Sequence, residues 1–201
     1  MGHMPRRQHR LTVCWSNAMF GGKTEEAGLR ATIAHHSGRN WILVRPRVSR
    51  RGNETDNTLV THGGREFHAL STITAKESID SALALVEAGA DLVWIDEPFL
   101  WPDKEDIAEA VFALAEHSDV IVSTLARTSE GDWWPAIGEI LSKADDIIDC
   151  KRAVCNFCKS PGATRTVYVG NDEKSGKDKV GGAESYQPAC VSCWNRMTVK
   201  E

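Results

Sequence analysis

An eight-residue segment between an apolar run and a helix-forming stretch constrains the fold of this chain more than any other feature. Residues 17–24 read Asn-Ala-Met-Phe-Gly-Gly-Lys-Thr, directly after the apolar residues 11–15 and at the start of the stretch 23–36. A strand, a glycine-containing loop and a helix in this order form a phosphate cradle, in which backbone N–H groups and the helix N-terminus face the phosphates. We therefore expect a phosphate-binding loop; the alternative is a chance Gly-Gly-Lys-Thr in an unrelated loop.

The residues of this loop are candidate ligands of a nucleotide and its metal ion. Lys23 would reach the terminal phosphates, and the Thr24 hydroxyl would help to hold Mg²⁺. The other candidate cofactor-binding residues of the loop are Asn17, Ala18, Met19, Phe20, Gly21 and Gly22. The pattern G-x-x-x-x-G-K-[ST] has glycine where this chain has Asn17, and asparagine is one of the few other residues that tolerate positive φ.

Length and charge limit the classes of protein that this chain can belong to. With 201 residues it can form one main globule and a small appendage. The 24 basic and 28 acidic residues give a net charge of −4, which does not favour nucleic-acid binding. No run of about 18 apolar residues occurs, and residues 1–10 lack the apolar centre of a signal peptide. We expect a cytoplasmic protein with neither a membrane nor a nucleic-acid partner, beginning with an N-terminal arm (1–10) whose Gly2-His3-Met4 resembles a cloning remnant.

Apolar strand-like and amphipathic helix-like segments alternate along most of the chain. The predicted strands are residues 11–15, 41–44, 91–96 and 119–124, and the predicted helices are residues 23–36, 78–88, 104–117 and 134–144. Such alternation predicts an α/β fold with a parallel sheet flanked by helices. We assign residues 11–149 to a P-loop (RecA-like) nucleotide-binding domain and residues 150–201 to a small second domain.

Two carboxylates follow one of the predicted strands. In Val-Trp-Ile-Asp-Glu, residues 93–97, an apolar run ends in Asp96 and Glu97. Ligands of parallel sheets bind at the carboxyl ends of the strands. Asp96 would act through Mg²⁺, and Glu97 could accept a proton from an attacking hydroxyl or orient the attacking group. The alternative is a solvated strand end without a function.

Four of the six cysteines form two Cys-x-x-Cys pairs near the C-terminus. The pairs are Cys155 with Cys158 and Cys190 with Cys193, and 31 residues separate them. Four thiolates are the ligand set of a closed, tetrahedral structural zinc site, which has no open position for catalysis. Two disulfides or free thiols are the alternative. We expect zinc to join the two ends of a long loop, and Cys14 and Cys150 to be ordinary buried thiols.

The polar segment between Arg45 and Gly64 is too long for an ordinary connection and is a candidate functional loop. Its His62 could be a catalytic base or a structural residue of a glycine turn. Its arginines could neutralise phosphates or could form a solvated basic surface. These arginines are Arg45, Arg47, Arg50 and Arg51.

Taken together, the motifs resemble the type II thymidine kinase family over residues 11–194. The matching segments are Met19-Phe20 before Gly-Lys, Arg45-Pro46, Thr61-His62, Asp96-Glu97, the Cys-x-x-Cys pairs, Ala163-Thr-Arg-Thr166 and Val180-Gly-Gly-Ala-Glu-Ser-Tyr186. In this family the last segment is a lasso that is anchored by the zinc and closes over the nucleoside. The resemblance thus implies that the second domain is a zinc-binding lasso domain.

The resemblance also implies roles for individual residues. It places Lys23, Thr24, Asp96 and Arg51 on ATP and its metal ion, and it makes Glu97 the base for the 5′-hydroxyl. The implied nucleoside-binding residues are Met19, Leu100, Leu125, Ser129, Thr164, Thr166, Val180, Gly181, Gly182 and Tyr186. ATP, Mg²⁺ and structural Zn²⁺ are the implied cofactors, and a homotetramer is the implied assembly.

Several positions depart from the family pattern. Leu100 and Ser129 replace aromatic residues of the base pocket, and Asn17, Ser49 and Ala126 replace a glycine and two aspartates. An aromatic contact contributes about 0.5–1.5 kcal/mol beyond its area, so the loss of two would weaken thymidine binding or make space for a larger base.

We therefore predict an ATP-dependent kinase of thymidine or a related, 5-modified pyrimidine deoxynucleoside. The first alternative is a catalytically impaired, nucleotide-binding relic of the family, and the second is a zinc-ribbon protein that binds nucleic acid. The net charge and the lack of aromatic residues within a basic patch disfavour the second alternative.

Overall fold

A computed structural model describes residues 9–46, 57–69, 71–74, 78–101, 106–170 and 181–198 of the chain. The strands are β1 (Leu11–Ser16), β2 (Trp41–Arg45), β3 (Thr58–Val60), β4 (Glu66–His68), β5 (Ser71–Thr74), β6 (Leu92–Asp96), β7 (Asp119–Leu125), β8 (Asp146–Asp149), β9 (Arg165–Tyr168) and β10 (Tyr186–Ala189). The helices are α1 (Lys23–His36), α2 (Ser78–Glu87), α3 (Ile107–Ala115), α4 (Pro135–Ser142) and α5 (Val191–Thr198).

Six of these strands form one parallel sheet in the order β5-β2-β6-β7-β1-β8. The predicted α/β fold is therefore confirmed. The central strands β1, β6 and β7 are adjacent and parallel, so the loops that follow them all emerge at the carboxyl end of the sheet. At this end of the strands, Ser16 pairs with Leu125 and Asp96 pairs with Ser123. The topology thus brings the predicted phosphate loop and the two carboxylates together.

Successive side chains of the central strands enter two different cores, as expected for strands covered on both faces. Val13, Val93 and Ile95 pack with α3 and α4 on one face, whereas Cys14 and Trp94 pack with α1 on the other. Gly28 of α1 faces Phe67 at van der Waals contact, and a Cβ there would overlap the phenyl ring. The second core therefore depends on small residues along α1.

The sequence pattern predicted neither of the two edge strands of the sheet, β5 and β8, nor the separate hairpin β3–β4. Strand β8 is an edge strand in which Asp146 and Asp149 flank two isoleucines, so its apolar run is only two residues long. The predicted functional loop between Arg45 and Gly64 contains β3, which pairs with β4 in an antiparallel hairpin. Helix α3 begins at Ile107 rather than at residue 104, and residues 102–105 lie outside the described part of the chain.

The C-terminal region forms a small lobe around a third core. Strands β9 and β10 pair in antiparallel fashion, and α5 packs against both. The core contains Cys155 and Cys193 together with Ala18 of the phosphate loop. This lobe is therefore packed against the loop. Within the described residues, none of the helices is both long and apolar enough to span a membrane.

Candidate active site

The loop between β1 and α1 is closed by the last residue of β1. Ser16 Oγ donates a hydrogen bond to the carbonyl of Ala18 (2.7 Å) and accepts one from its N–H (3.3 Å). Gly21 lies so close to Ser16 that a Cβ would overlap the hydroxyl and would also come within 2.8 Å of the carbonyl of Cys150. Gly22 has φ 90° and caps α1, which begins at Lys23. The tight turn therefore requires both glycines.

Asn17 does not have the positive φ that its replacement of a glycine suggested. In the loop, positive φ occurs at Phe20 (62°) and at Gly22. Phenylalanine is a poor residue for this conformation, which indicates local strain. The Phe20 ring meets His62 edge to face at 4.4 Å between ring centres. The Asn17 side chain is instead an acceptor: its Oδ1 accepts a hydrogen bond from Arg127 Nε (3.3 Å).

Asp96 ends strand β6. Its carboxylate is shielded from solvent but lies among polar groups. Its Oδ1 accepts a short hydrogen bond from Ser123 Oγ, which in turn accepts one from Trp94 Nε1 (2.7 Å). The Thr24 hydroxyl lies 3.5 Å from the same carboxylate oxygen. Thr24 and Asp96 therefore present two hard oxygen ligands to the same point, which suits Mg²⁺.

Burial raises the pKa of Asp96 from its ordinary value of 3.8 to about 6. The Lys23 ammonium, the Ser123 hydroxyl and Arg45 lower this pKa, whereas the Glu97 carboxylate raises it. A carboxylate that is only 6% exposed and whose charged form is disfavoured would gain from a bound cation. This electrostatic environment fits the predicted metal-linked role of Asp96.

Glu97 lies at the end of the same strand in an unusual backbone conformation. Its φ is 50°, in the left-handed region, and its N–H donates to the carbonyl of Ser123 (2.9 Å). Its Oε1 lies 3.2 Å from Lys23 Nζ, and the two side chains are 21% and 12% exposed. The strained backbone aims the carboxylate at the phosphate-loop lysine while leaving it accessible.

The structure brings several predicted nucleoside-binding residues together beside this loop. Met19, Leu100 and Leu125 belong to one apolar cluster. The Met19 N–H donates to Thr166 Oγ1 (3.1 Å), whereas Thr164 is half-buried and its N–H donates to the carbonyl of Ala189 (3.1 Å). Ser129 lies farther along the loop after β7, where its carbonyl accepts a hydrogen bond from Trp194 Nε1 (3.0 Å).

Two aromatic rings in the same cluster were not predicted as site residues. Phe99 and Trp134 stack with ring centres 5.5 Å apart, and both contact the cluster that contains Leu100 and Leu125. Phe99 adjoins Leu100, one of the departures from the family pattern, whereas Trp134 lies five residues beyond Ser129 and had no such signal. Phe99 is buried and Trp134 is half-buried in this core.

The described part of the predicted lasso is ordered by hydrogen bonds to Gly182. Its N–H donates to Glu184 Oε1 (2.6 Å), and its carbonyl accepts the N–H of Tyr186 (2.9 Å). Backbone N–H groups of Glu184 and Gly182 hold the pKa of Glu184 below its usual value, with a smaller contribution from His62. The Tyr186 ring packs against Tyr168 (5.2 Å). Gly181 is half-buried beside Ser185 and Tyr186, whereas Val180 and Arg51 lie outside the described residues.

The four predicted metal ligands converge in the C-terminal lobe. The Sγ atoms of Cys155, Cys158, Cys190 and Cys193 all lie within 4.8 Å of one another. Those of Cys158 and Cys190 are 3.7 Å apart, close to the edge of about 3.8 Å in a tetrahedron with Zn–S bonds of about 2.3 Å. The donor set and its spacing therefore fit a structural zinc ion.

The surroundings of these thiols differ in polarity. Burial raises the pKa of Cys155, but hydrogen bonds from the backbone N–H groups of Cys158, Cys190 and Phe157 outweigh it and lower the pKa to about 6. The Ser160 side chain and N–H lower the pKa of Cys158, whereas burial raises that of Cys193 to about 11. Backbone donors aimed at a sulfur favour its thiolate, which is the form that binds a metal.

A phosphate loop whose lysine faces two strand-end carboxylates, beside a lobe whose four cysteines fit a structural zinc ion, is typical of the P-loop phosphotransferase class. Comparison with known proteins gives the family. A family model described as thymidine kinase matches residues 11–194. The chain is also 30% identical over 178 residues to a thymidine kinase of Thermococcus kodakarensis, covering 86% of this chain and 87% of the relative.

The chain therefore belongs to the thymidine kinase family, and the predicted resemblance is confirmed. Membership supports a kinase activity, that of a nucleoside kinase. The four-cysteine cluster fits the zinc that was predicted for the small lobe. The roles of individual site residues and the boundaries of the domains remain predictions.

Proposed function

We propose that this protein transfers the γ-phosphate of ATP to the 5′-hydroxyl of thymidine or a related pyrimidine deoxynucleoside. The observation that supports this most directly is the contact between Lys23 and Glu97 at the mouth of the phosphate loop. A cation for the phosphates and a carboxylate for the attacking hydroxyl must be neighbours in an in-line phosphate transfer.

The phosphate loop and its lysine bind the ATP phosphates. The N-terminus of α1 points into the loop and provides backbone donors for the anion, and Lys23 neutralises charge on the transferred group. Thr24 and Asp96 are the proposed Mg²⁺ ligands, since their oxygens lie 3.5 Å apart. A Mg²⁺ ion held by these two residues would supply positive charge to the phosphates during the transfer.

Glu97 is the proposed catalytic base. Its carboxylate lies 3.2 Å from Lys23 Nζ, and bound phosphates would compete with it for this lysine. The carboxylate is then available to accept the proton of the 5′-hydroxyl or to orient it. The hydrogen bond from its N–H to Ser123 holds the backbone beside Asp96, so base and metal ligand keep a fixed spacing.

The apolar cluster beside the loop is the proposed base pocket. Met19, Leu100 and Leu125 would contact the pyrimidine ring, and the lasso residues Gly181 and Gly182 would provide main-chain contacts. We propose that the pocket prefers a 5-substituent bulkier than methyl, because Leu100 and Ser129 replace aromatic residues.

The remaining proposals concern domains, zinc and assembly. Residues 11–149 would bind ATP, and residues 150–201 would form the zinc-anchored lasso domain that closes over the nucleoside. The implied homotetramer would cover Ile33 and Ile147, which are 65% and 53% exposed in the single chain. Light scattering of the purified protein tests the assembly, and a monomer would contradict it.

Transfer from labelled ATP to a panel of deoxynucleosides tests the proposed function. The panel includes thymidine, deoxycytidine and 5-substituted deoxyuridines, and each is run with wild type, Glu97→Gln and Glu116→Gln. Glu116 is exposed at the opposite edge of the sheet and serves as the control. We expect product from a pyrimidine deoxynucleoside and a loss of about 10²–10⁴-fold in kcat for Glu97→Gln only.

Two other outcomes would each contradict part of the proposed function. ATP binding without product from any nucleoside would favour the impaired relic of the family. Fast phosphorylation of thymidine without activity on bulkier analogues would remove the proposed preference of the pocket.

A further inference from the structure

The replacement of glycine by Asn17 in the phosphate loop is matched by a specific partner on the neighbouring strand. Arg127 follows β7, which pairs with β1 through Ser16 and Leu125. Its Nε donates to Asn17 Oδ1 (3.3 Å), so a charged side chain is tied to the first residue of the loop. Glycine at position 17 would offer no such acceptor.

Arg127 is itself fixed by three further contacts within the turn of residues 127–133. Its Nη1 donates to the carbonyl of Gly131 (3.0 Å), and its guanidinium lies over the Trp133 ring at 4.4 Å. The backbones of Arg127 and Trp133 form an antiparallel bridge. A planar guanidinium that stacks and donates at the same time has little freedom to move.

The turn that holds Arg127 is supported from two sides. Trp133 stacks on Trp15 of β1 with ring centres 6.0 Å apart. Trp194 of α5 donates through Nε1 to the carbonyl of Ser129, and its indole lies against Gly131. The turn is thus held between the sheet and the zinc-binding lobe, which makes it a rigid support for Arg127.

We propose that Arg127 is a positioning residue of the phosphate loop, acting through Asn17, and that the pair sets the affinity for the nucleotide. This inference rests on the proposed function of the loop. By fixing Asn17, Arg127 keeps the entry of the loop in one conformation, which lowers the cost of ordering it around the phosphates. Its permanent positive charge, tied to the first residue of the loop, also attracts the polyphosphate.

A double-mutant cycle on nucleotide binding tests the pair. The variants are Asn17→Gly, Arg127→Met and the combination, and the probe is a fluorescent N-methylanthraniloyl ATP titrated into metal-loaded protein. We expect Arg127→Met to raise Kd about fivefold, equivalent to about 1 kcal/mol. We expect the double variant to be no weaker than the weaker single variant, because both remove one interaction. Arg127→Lys, which keeps the charge, should recover part of the affinity.

A control separates positioning from general stability. Lys143→Met removes a cation from the face of Phe112 (4.0 Å) at the opposite edge of the sheet, and it should leave Kd unchanged. In steady-state assays, Arg127→Met should raise KM for ATP about fivefold while KM for the nucleoside changes less than twofold. Effects of the two single changes that multiply in the double variant would overturn the proposal, as would an unchanged Kd in Arg127→Met.

The binding readout also separates this inference from the proposed function. A wild-type protein that binds the fluorescent nucleotide but phosphorylates no nucleoside refutes the kinase proposal, and the cycle still decides the role of Arg127. A wild-type protein that does not bind the nucleotide refutes both.

Discussion

Replacing the buried Asp96 by asparagine should stabilise the metal-free protein while it removes the proposed metal ligand. Asp96 is 6% exposed, and its pKa in the fold is about 6 instead of 3.8. At about 1.4 kcal/mol per pKa unit, the deprotonated side chain destabilises the fold by about 3 kcal/mol at pH 8. Asparagine has no charge and can still accept the hydrogen bond from Ser123 Oγ.

The pH dependence of this effect has a defined sign. Because the folded state raises the pKa, the contribution of Asp96 is most favourable below pH 3.8 and is lost as the pH rises through 6. The advantage of Asp96→Asn should therefore be largest at pH 8, fall to about half at pH 5 and to about one fifth at pH 4. For a chain of this size, about 3 kcal/mol corresponds to an increase in Tm of about 6–12 °C.

Thermal unfolding followed by circular dichroism in a magnesium-free buffer measures the difference in Tm at pH 8, pH 5 and pH 4. Glu116→Gln, which removes an exposed carboxylate, is the control and should leave Tm within about 2 °C of wild type. A Tm of Asp96→Asn at or below that of wild type at pH 8 would refute the reasoning. An advantage of the same size at pH 8 and pH 5 would show that it does not come from the buried charge.

Three further predictions follow from other contacts. Glu97→Gln should bind ATP several-fold more tightly than wild type, because no carboxylate at position 97 then competes with the phosphates for Lys23; weaker binding would contradict this. Gly28→Ala should lower Tm by several degrees because its Cβ overlaps Phe67, whereas Gly138→Ala, with open space around it, should be neutral or stabilising; equal effects would contradict the packing. A strong chelator should release one zinc per chain and lower Tm, and four thiols that react with Ellman's reagent before chelation would exclude the zinc site.

The central strands could be predicted because the sheet is buried on both faces. Strands such as β2 and β6 are therefore short continuous apolar runs, and the helices between them have the spacing of one apolar face. The edge strand β8 has no such signal, because only one side pairs and its residues alternate between half-buried and exposed. The hairpin β3–β4 begins in the polar segment and ends just beyond it, and only single apolar residues, Leu59 of β3 and Phe67 of β4, pack in the core under α1.

The site could be predicted in outline for a topological reason. Once the fold is parallel, loop and strand-end residues such as Lys23, Asp96 and Glu97 must meet at one edge. Contacts that depend on side-chain packing between distant segments could not be predicted. The stack of Phe99 on Trp134 and the link from Asn17 to Arg127 join segments 35 and 110 residues apart, and no local pattern specifies them.

Residues with an unfavourable burial or backbone conformation indicate the site even without a sequence motif. Asp96 is a buried carboxylate whose charged form is disfavoured, and Glu97 and Phe20 have left-handed backbones that suit glycine. All three lie at the carboxyl edge of the sheet around Lys23. Among the described non-glycine residues, only Lys159 shares this backbone conformation, and it lies next to the cysteine cluster. Such conformations persist only where surrounding contacts impose them. Here they are concentrated beside the phosphate loop and the cysteine cluster. This distribution is expected if both regions are shaped for binding rather than for stability.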